Sequence, residues 1–229
     1  MSTALVTGAS RGLGHALGLR LAARGWDLVI NARSVTPLKS AAAALRAAGA
    51  SSVTAIAGDV SDPDHREALL AAVPGELDLL VNNASVLGPS PQPTLAAYPL
   101  ASLVHVYAVN VIGPLGLVQL ALPRMRTGAV VMNITSDAAV EAYAGWGGYG
   151  SSKAALEQLT AVLAVENPHL RIHAVDPGDM NTTLHAEAFP GEDITDRADP
   201  ATVVPALLAL LDGAPAGMRV RTGDIGVPA

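Results

Sequence analysis

Six short apolar runs, at residues 4–7, 27–31, 52–57, 77–81, 129–133 and 171–175, alternate along the chain with longer alanine-rich runs. A weaker seventh lies at 218–221. The apolar runs are rich in leucine and β-branched residues and lack the in–out alternation of a half-exposed strand. They read as strands buried on both faces. The intervening runs, near 12–24, 37–48, 63–72, 100–124, 149–165 and 200–211, have helical length and composition. Alanine favours helix because it gives up no side-chain entropy there. Strand and helix alternating in this way imply an α/β fold, a doubly wound parallel sheet of about seven strands with helices on both faces. Connections are short and no shift of composition divides the chain, so 1–229 reads as one domain.

Composition narrows the function. Half of the 229 residues are apolar and 15% are charged, which supports a large core and excludes disorder. With 14 basic and 20 acidic residues, net −6, a nucleic-acid groove is not expected. The absence of cysteine removes disulfides, thiolate zinc sites and cysteine nucleophiles, and no metal site is expected. The first residues lack the basic start of a signal peptide. Residues 79–123 carry no Asp, Glu, Lys or Arg, but Asn82, Asn83, Pro89, Pro91, Pro93, Pro99, Asn110 and Pro114 interrupt every window long enough to span a bilayer. The chain reads as soluble and cytoplasmic, without membrane contact.

Between the first strand and the first helix stands Thr7-Gly8-Ala9-Ser10-Arg11-Gly12-Leu13-Gly14. Glycines there let the backbone turn sharply and approach a pyrophosphate, whose charge the helix N-terminus favours. The same residues match Gly-x-Ser-x-Gly, the nucleophile elbow of α/β-hydrolases, with Asp176 and His185 following in triad order. That elbow normally follows a central strand, however, and not the opening one.

Further motifs follow in order: Asp59-Val60, Asn82-Asn83-Ala84, Asn110, Ser136, Tyr149-Gly150-Ser151-Ser152-Lys153, and Pro177-Gly178 with Thr182. Together with the glycine turn they make the chain resemble the short-chain dehydrogenase/reductase family, a Rossmann-type fold, over about residues 3 to 183. The resemblance implies Ser136, Tyr149 and Lys153 as the catalytic set, with Asn110 completing a proton relay. It also implies cofactor contacts at Gly8, Ser10, Arg11, Gly12, Leu13, Gly14, Arg33, Asp59, Val60, Asn83, Ala84, Tyr149, Lys153, Pro177, Gly178 and Thr182. The implied activity is reversible reduction of a ketone or aldehyde to an alcohol. A non-catalytic NADP(H)-binding sensor on the same fold is the alternative, although the tyrosine and lysine are both present.

The chemistry needs these residue types. A carbonyl under reduction gathers negative charge on oxygen, and a phenol beside an ammonium is expected to ionise more readily than a free one. Tyr149 and Lys153, at i and i+4, share a helix face. Family members that use NAD carry an acidic residue at the end of the second strand. Here that position is Ala32, followed by Arg33, and Arg11 sits in the glycine turn. Two guanidiniums and no carboxylate suit a 2′-phosphate, so NADP(H) is expected over NAD(H).

Two departures from the family pattern stand out. The usual Asn-Asn-Ala-Gly ends in Ser85, and the usual glycine-rich ending is replaced by Arg219-Val220-Arg221. The segment 179–200, polar and loop-like, is expected to cover the site. Met180, Leu184, His185, Phe189, Tyr143, Trp146 and Leu87 are candidates for a pocket that takes a small neutral carbonyl or alcohol. The helices at 100–124 and 149–165 carry few charges. Leu103, Val106, Val111, Leu117 and Leu120 cannot all face the sheet at a period of 3.6, so a homodimer or tetramer through these helices is expected.

Overall fold

The computed structural model describes residues 1–214 and 218–226. Among these, one seven-stranded sheet is formed by β1 (Thr3–Val6), β2 (Asp27–Ala32), β3 (Ser52–Ala57), β4 (Leu77–Asn82), β5 (Met125–Ile134), β6 (Arg171–Asp176) and β7 (Arg219–Arg221). Its spatial order is β3-β2-β1-β4-β5-β6-β7 and every pairing is parallel. The helices are α1 (Gly12–Ala23), α2 (Val35–Ala47), α3 (Pro63–Ala71), α4 (Leu100–Tyr107), α5 (Gly113–Ala121), α6 (Gly147–Glu166), α7 (Thr183–Ala188) and α8 (Val204–Leu211).

Consecutive strand residues serve opposite layers, which is why the inner strands are apolar on both faces. The edge strand β3, expected to be buried on both faces, is half-exposed because no further strand or full helix layer covers it. Ala4 and Val6 of β1 join Leu17, Leu38, Leu45, Leu207 and Leu210 in the core beneath α1, α2 and α8. Leu5, between them, faces Leu69, Val109, Leu117, Val118 and Leu163 of the other layer. The strand order reverses between β1 and β4, and this switch point opens a crevice at the carboxyl ends of the strands.

Three elements differ from the sequence expectation. The helix expected over 100–124 is interrupted by a π-helical turn, Ala108–Ile112, and closes with a 3-10 turn, Leu122–Arg124. β5 begins at Met125, four residues early, because its first residue pairs with Leu77 ahead of a register shift. The segment 179–200, expected as loop, contains α7, whose first turn is capped by the Thr182 hydroxyl accepting from the His185 N–H at 3.2 Å.

Leu100–Arg124 is the one helical stretch among the described residues that is long and apolar enough to cross a membrane. Here Val106, Val109, Leu117 and Val118 pack it into the fold. Its outer side is apolar as expected, and the five residues singled out do not all face the sheet. Val106, Val111 and Leu117 are buried, whereas Leu100, Val104, Ile112 and Leu120 are exposed, as are Val162 and Val165 on the adjoining α6.

Candidate active site

A cleft of about 880 Å³ runs along the crevice, from the glycine turn past β3 and β4 to α6 and α7. Gly8 and Gly12 adopt φ of +65° and +56°, which favours glycine. At Gly14 a side chain is excluded by space instead, since a Cβ there would lie 2.6 Å from Asn83 Nδ2 and 2.7 Å from the Gly8 carbonyl. Asn83 itself donates to the carbonyls of Thr7 (2.9 Å) and Gly8 (3.1 Å), so the β4 loop holds the turn in shape. No side chain caps α1, leaving its first N–H groups free for an anion.

Of the expected cofactor contacts, Ser10, Arg11, Leu13, Arg33, Asp59, Val60, Ala84, Pro177, Gly178 and Thr182 line the cleft with Gly8, Gly12 and Asn83. Gly14 lies beneath it as packing. Asp59 is turned back on its own loop, where its carboxylate accepts from the Ser61 N–H (2.8 Å) and hydroxyl (2.7 Å). Burial raises its pKa, but these two bonds, with Arg33 and His105 nearby, hold the carboxyl below its usual range. Ala32 is buried and Arg33 exposed at the cleft, so this end presents cations.

At the other end, Tyr149 and Lys153 are not the exposed pair that their types first suggest. They are only 5% and 2% exposed, one turn apart on α6. Lys153 Nζ donates to the Ile134 carbonyl at 2.8 Å and stands 5.4 Å from the centre of the Tyr149 ring. Ser136 and Ser85 line the cleft together with Tyr149. The Ser136 hydroxyl also donates to Asp137 at 2.9 Å. Burial lowers the Lys153 pKa to about 8, partly opposed by Glu157.

Tyr149 departs from expectation. Burial pushes its phenol well above its usual value, Ser85 pulls it back, Asp137 and Asp176 push it further, and Ser136 again opposes them. The enclosing protein outweighs the serines, so the resting group is a phenol.

Asn110 lies in the π-helical turn, 1% exposed. Its Oδ1 accepts from Val86 N–H (2.9 Å) and Ser85 (3.1 Å), and its Nδ2 donates to the Val86 carbonyl (2.9 Å) and Ser152 (3.0 Å). The side chain therefore joins the β4 loop to α6 and makes no hydrogen bond with Lys153, whose Nζ is taken by the Ile134 carbonyl.

Sequence reasoning missed a network behind the lysine. Glu157, one turn beyond Lys153, accepts from Thr135 at 2.7 Å and from Arg219 Nε at 3.0 Å. Arg219 also donates to Asp176 at 3.1 Å, and Asp176 accepts from the Gly178 N–H at 3.0 Å. Glu157 was legible by its helical spacing from Lys153, but Arg219 was not, because β7 meets α6 only in the fold. The hydrolase triad does not form. His185 bonds with Arg197 at 3.4 Å and lies 3.9 Å from Asp179, so its partners are neither Ser10 nor Asp176.

Trp146 packs edge-on against Tyr149 (5.8 Å between ring centres) and Tyr143 (6.3 Å), and tilted against Phe189 (5.7 Å). The expected lining residues Leu87, Trp146, Met180, Leu184 and His185 reach the cleft, while Tyr143 and Phe189 stand behind Trp146.

The chain is similar to known proteins over most of its length. The sequence model of the short chain dehydrogenase family matches residues 2–193. The 2-(R)-hydroxypropyl-CoM dehydrogenase of Xanthobacter autotrophicus is 36% identical over 188 residues, covering 79% of this chain and 75% of the relative. The serine 3-dehydrogenase of Agrobacterium fabrum is 33% identical over 187 residues, 79% of this chain and 72% of the relative. The alcohol dehydrogenase of Thermococcus sibiricus, solved with 5-hydroxy-NADP, superposes with a TM-score of 0.85 at 27% identity, over 96% of this chain and 95% of its own. Fold, motif order and these likenesses agree: the chain belongs to the short-chain dehydrogenase/reductase family, as an oxidoreductase acting on alcohol and ketone groups.

Proposed function

We propose that this protein is a cytoplasmic NADP(H)-dependent reductase that converts a neutral ketone or aldehyde to the alcohol, reversibly. The observation that carries the reading is the buried Tyr149, sharing the cleft with Ser136 and one turn from Lys153, at the inner end of a cleft whose outer end holds Arg11 and Arg33. A structure solved with 5-hydroxy-NADP supports the choice of dinucleotide by likeness.

When bound, the dinucleotide supplies the hydride. Arg11 and Arg33 would hold a 2′-phosphate, the glycine turn the pyrophosphate, Asp59 and Val60 the adenine end, and Lys153 the nicotinamide ribose. Ser136 orients the carbonyl oxygen, and Tyr149 gives that oxygen its proton as negative charge develops. A phenol kept protonated at neutral pH is prepared for this direction. Alcohol oxidation needs the phenolate and is favoured at higher pH. Asn110 serves the relay by fixing the β4 loop and α6 beside Tyr149. Residues 179–200 cover the site, and Trp146, Leu87 and Leu184 give the substrate an apolar bed.

The exposed apolar residues of α4, α5 and α6 pair with a second copy about a two-fold axis. The test of catalysis is NADPH consumption, followed by absorbance, over a panel of aliphatic and aromatic ketones and aldehydes. Tyr149→Phe should abolish turnover while leaving NADPH binding intact, and wild-type turnover in that variant overturns the assignment.

A further inference from the structure

The last strand of the sheet grips the turn that leaves β6. Arg219 of β7 donates to Asp176 at 3.1 Å, and Arg221 stands 3.6 Å from the same carboxylate oxygen. The other Asp176 oxygen accepts from the Gly178 N–H at 3.0 Å, and the Thr222 hydroxyl donates to the Pro177 carbonyl at 3.2 Å. Asp176 is 3% exposed, so its charge relies on these partners rather than on water. Pro177 and Gly178 line the cleft at its Tyr149 end, because β6 lies beside β5, whose carboxyl end carries Ser136.

Arg219 also reaches α6. Its Nε donates to both Glu157 oxygens, at 3.0 and 3.1 Å, and Glu157 stands one turn beyond Lys153. Glu157 accepts in turn from the hydroxyl of Thr135, the residue before Ser136. One guanidinium thus ties together α6, the end of β5 and the turn after β6. Its planar fork holds two carboxylates at once, which the single point charge of a lysine does not.

We propose that Arg219 is a positioning residue for the nicotinamide end of the cleft. Through Asp176 it holds Pro177 and Gly178 in place. Through Glu157 it keeps that turn in register with the helix that carries Tyr149 and Lys153. The inference rests on the dinucleotide reading of the cleft.

The test compares wild type, Arg219→Met and Arg221→Met in two measurements. Hydrogen–deuterium exchange of the cofactor-free protein is followed in peptides covering 176–180 and β1, which lies beyond β4 and β5. Calorimetric titration follows NADP+ and adenosine 2′,5′-bisphosphate, its adenine end alone. Arg219→Met should speed exchange at 176–180 and weaken NADP+, each about tenfold, the size of one lost hydrogen bond to a charged group. Exchange in β1 and affinity for the bisphosphate should not change. Arg221→Met, which removes the same charge two residues on, should leave all four readings in place. Exchange at 176–180 or NADP+ affinity that stays put in Arg219→Met overturns the proposal. So do equal acceleration in β1, equal weakening of the bisphosphate, or the same changes in Arg221→Met. If Arg219→Met fails to fold, Arg219→Lys, which keeps the charge without the fork, takes its place with the same expectations. A wild type that binds neither ligand overturns the dinucleotide reading instead.

Discussion

Asn110 and Val86 exchange two hydrogen bonds of 2.9 Å, side chain to backbone, as one strand residue pairs with another. The asparagine thus stands in for a missing neighbour at the open end of β4. Asn110→Ala would leave the half-buried Val86 N–H and carbonyl without their partner, at up to roughly 1–3 kcal/mol for each group. The expected outcome is a fall in Tm of roughly 5–12 °C by calorimetry, with loss of turnover. An unchanged Tm would show that water replaces the side chain there.

Lys153 should make stability depend on pH in an unusual sense. Its pKa falls from 10.5 unfolded to about 8 folded, so between those values the unfolded chain binds the extra proton. Stability from this group therefore rises with pH across that window, and below about pH 8 the full cost of burying the charge is present. That cost is roughly 3 kcal/mol. Lys153→Met, which keeps the volume, should unfold at higher urea than wild type at pH 7. The advantage should shrink by pH 10, and urea titrations at the two pH values check it.

The cofactor end gives a specificity prediction. With Ala32 in place of a carboxylate and Arg33 and Arg11 at the cleft, NADPH should bind at least tenfold more tightly than NADH, an arginine–phosphate preference. Ala32→Asp combined with Arg33→Ala should reverse the order. Fluorescence titration with both dinucleotides measures it, and a wild type that prefers NADH refutes it.

Light scattering addresses assembly. The chain has a mass of 23.2 kDa, and the particle in solution should have twice that or four times it. Val104, 70% exposed on α4, should be central enough that Val104→Glu halves the mass. A wild type that scatters as a single chain removes the two-fold pairing.

Most of this architecture was legible because it depends on local pattern. The strands announce themselves as continuous apolar runs, and the turn at Gly8 to Gly14 can be read from spacing alone. Tyr149 and Lys153 were placed together by helical period, and their burial followed from the fold. Spacing did not tell where the Asn110 side chain goes, because a π-helical turn changes the direction in which it points. Nor did it tell the direction of the Tyr149 shift, which comes first from burial in the folded site and then from Asp137 and Asp176 arriving from different strand ends. Arg219 was read as a mere departure at the tail, yet it grips Glu157 and Asp176 across β6 and α6.

The π-helical turn at Ala108–Ile112 has a consequence for how this chain can change. An α-helix advances about 100° per residue, so an extra residue in one turn offsets the two halves by that angle. α4 and α5 are therefore out of phase, and Asn110 points inward only at the offset, while Val104 before it and Leu120 after it both point outward. Deleting one residue from 108–112 would restore a regular helix and rotate α4 against α5. Either the asparagine would leave Val86 or the outer stripe would break into two. Length in this segment is locked to both surfaces at once, so an insertion or deletion there disturbs both, whereas a substitution disturbs only the contacts of its own side chain.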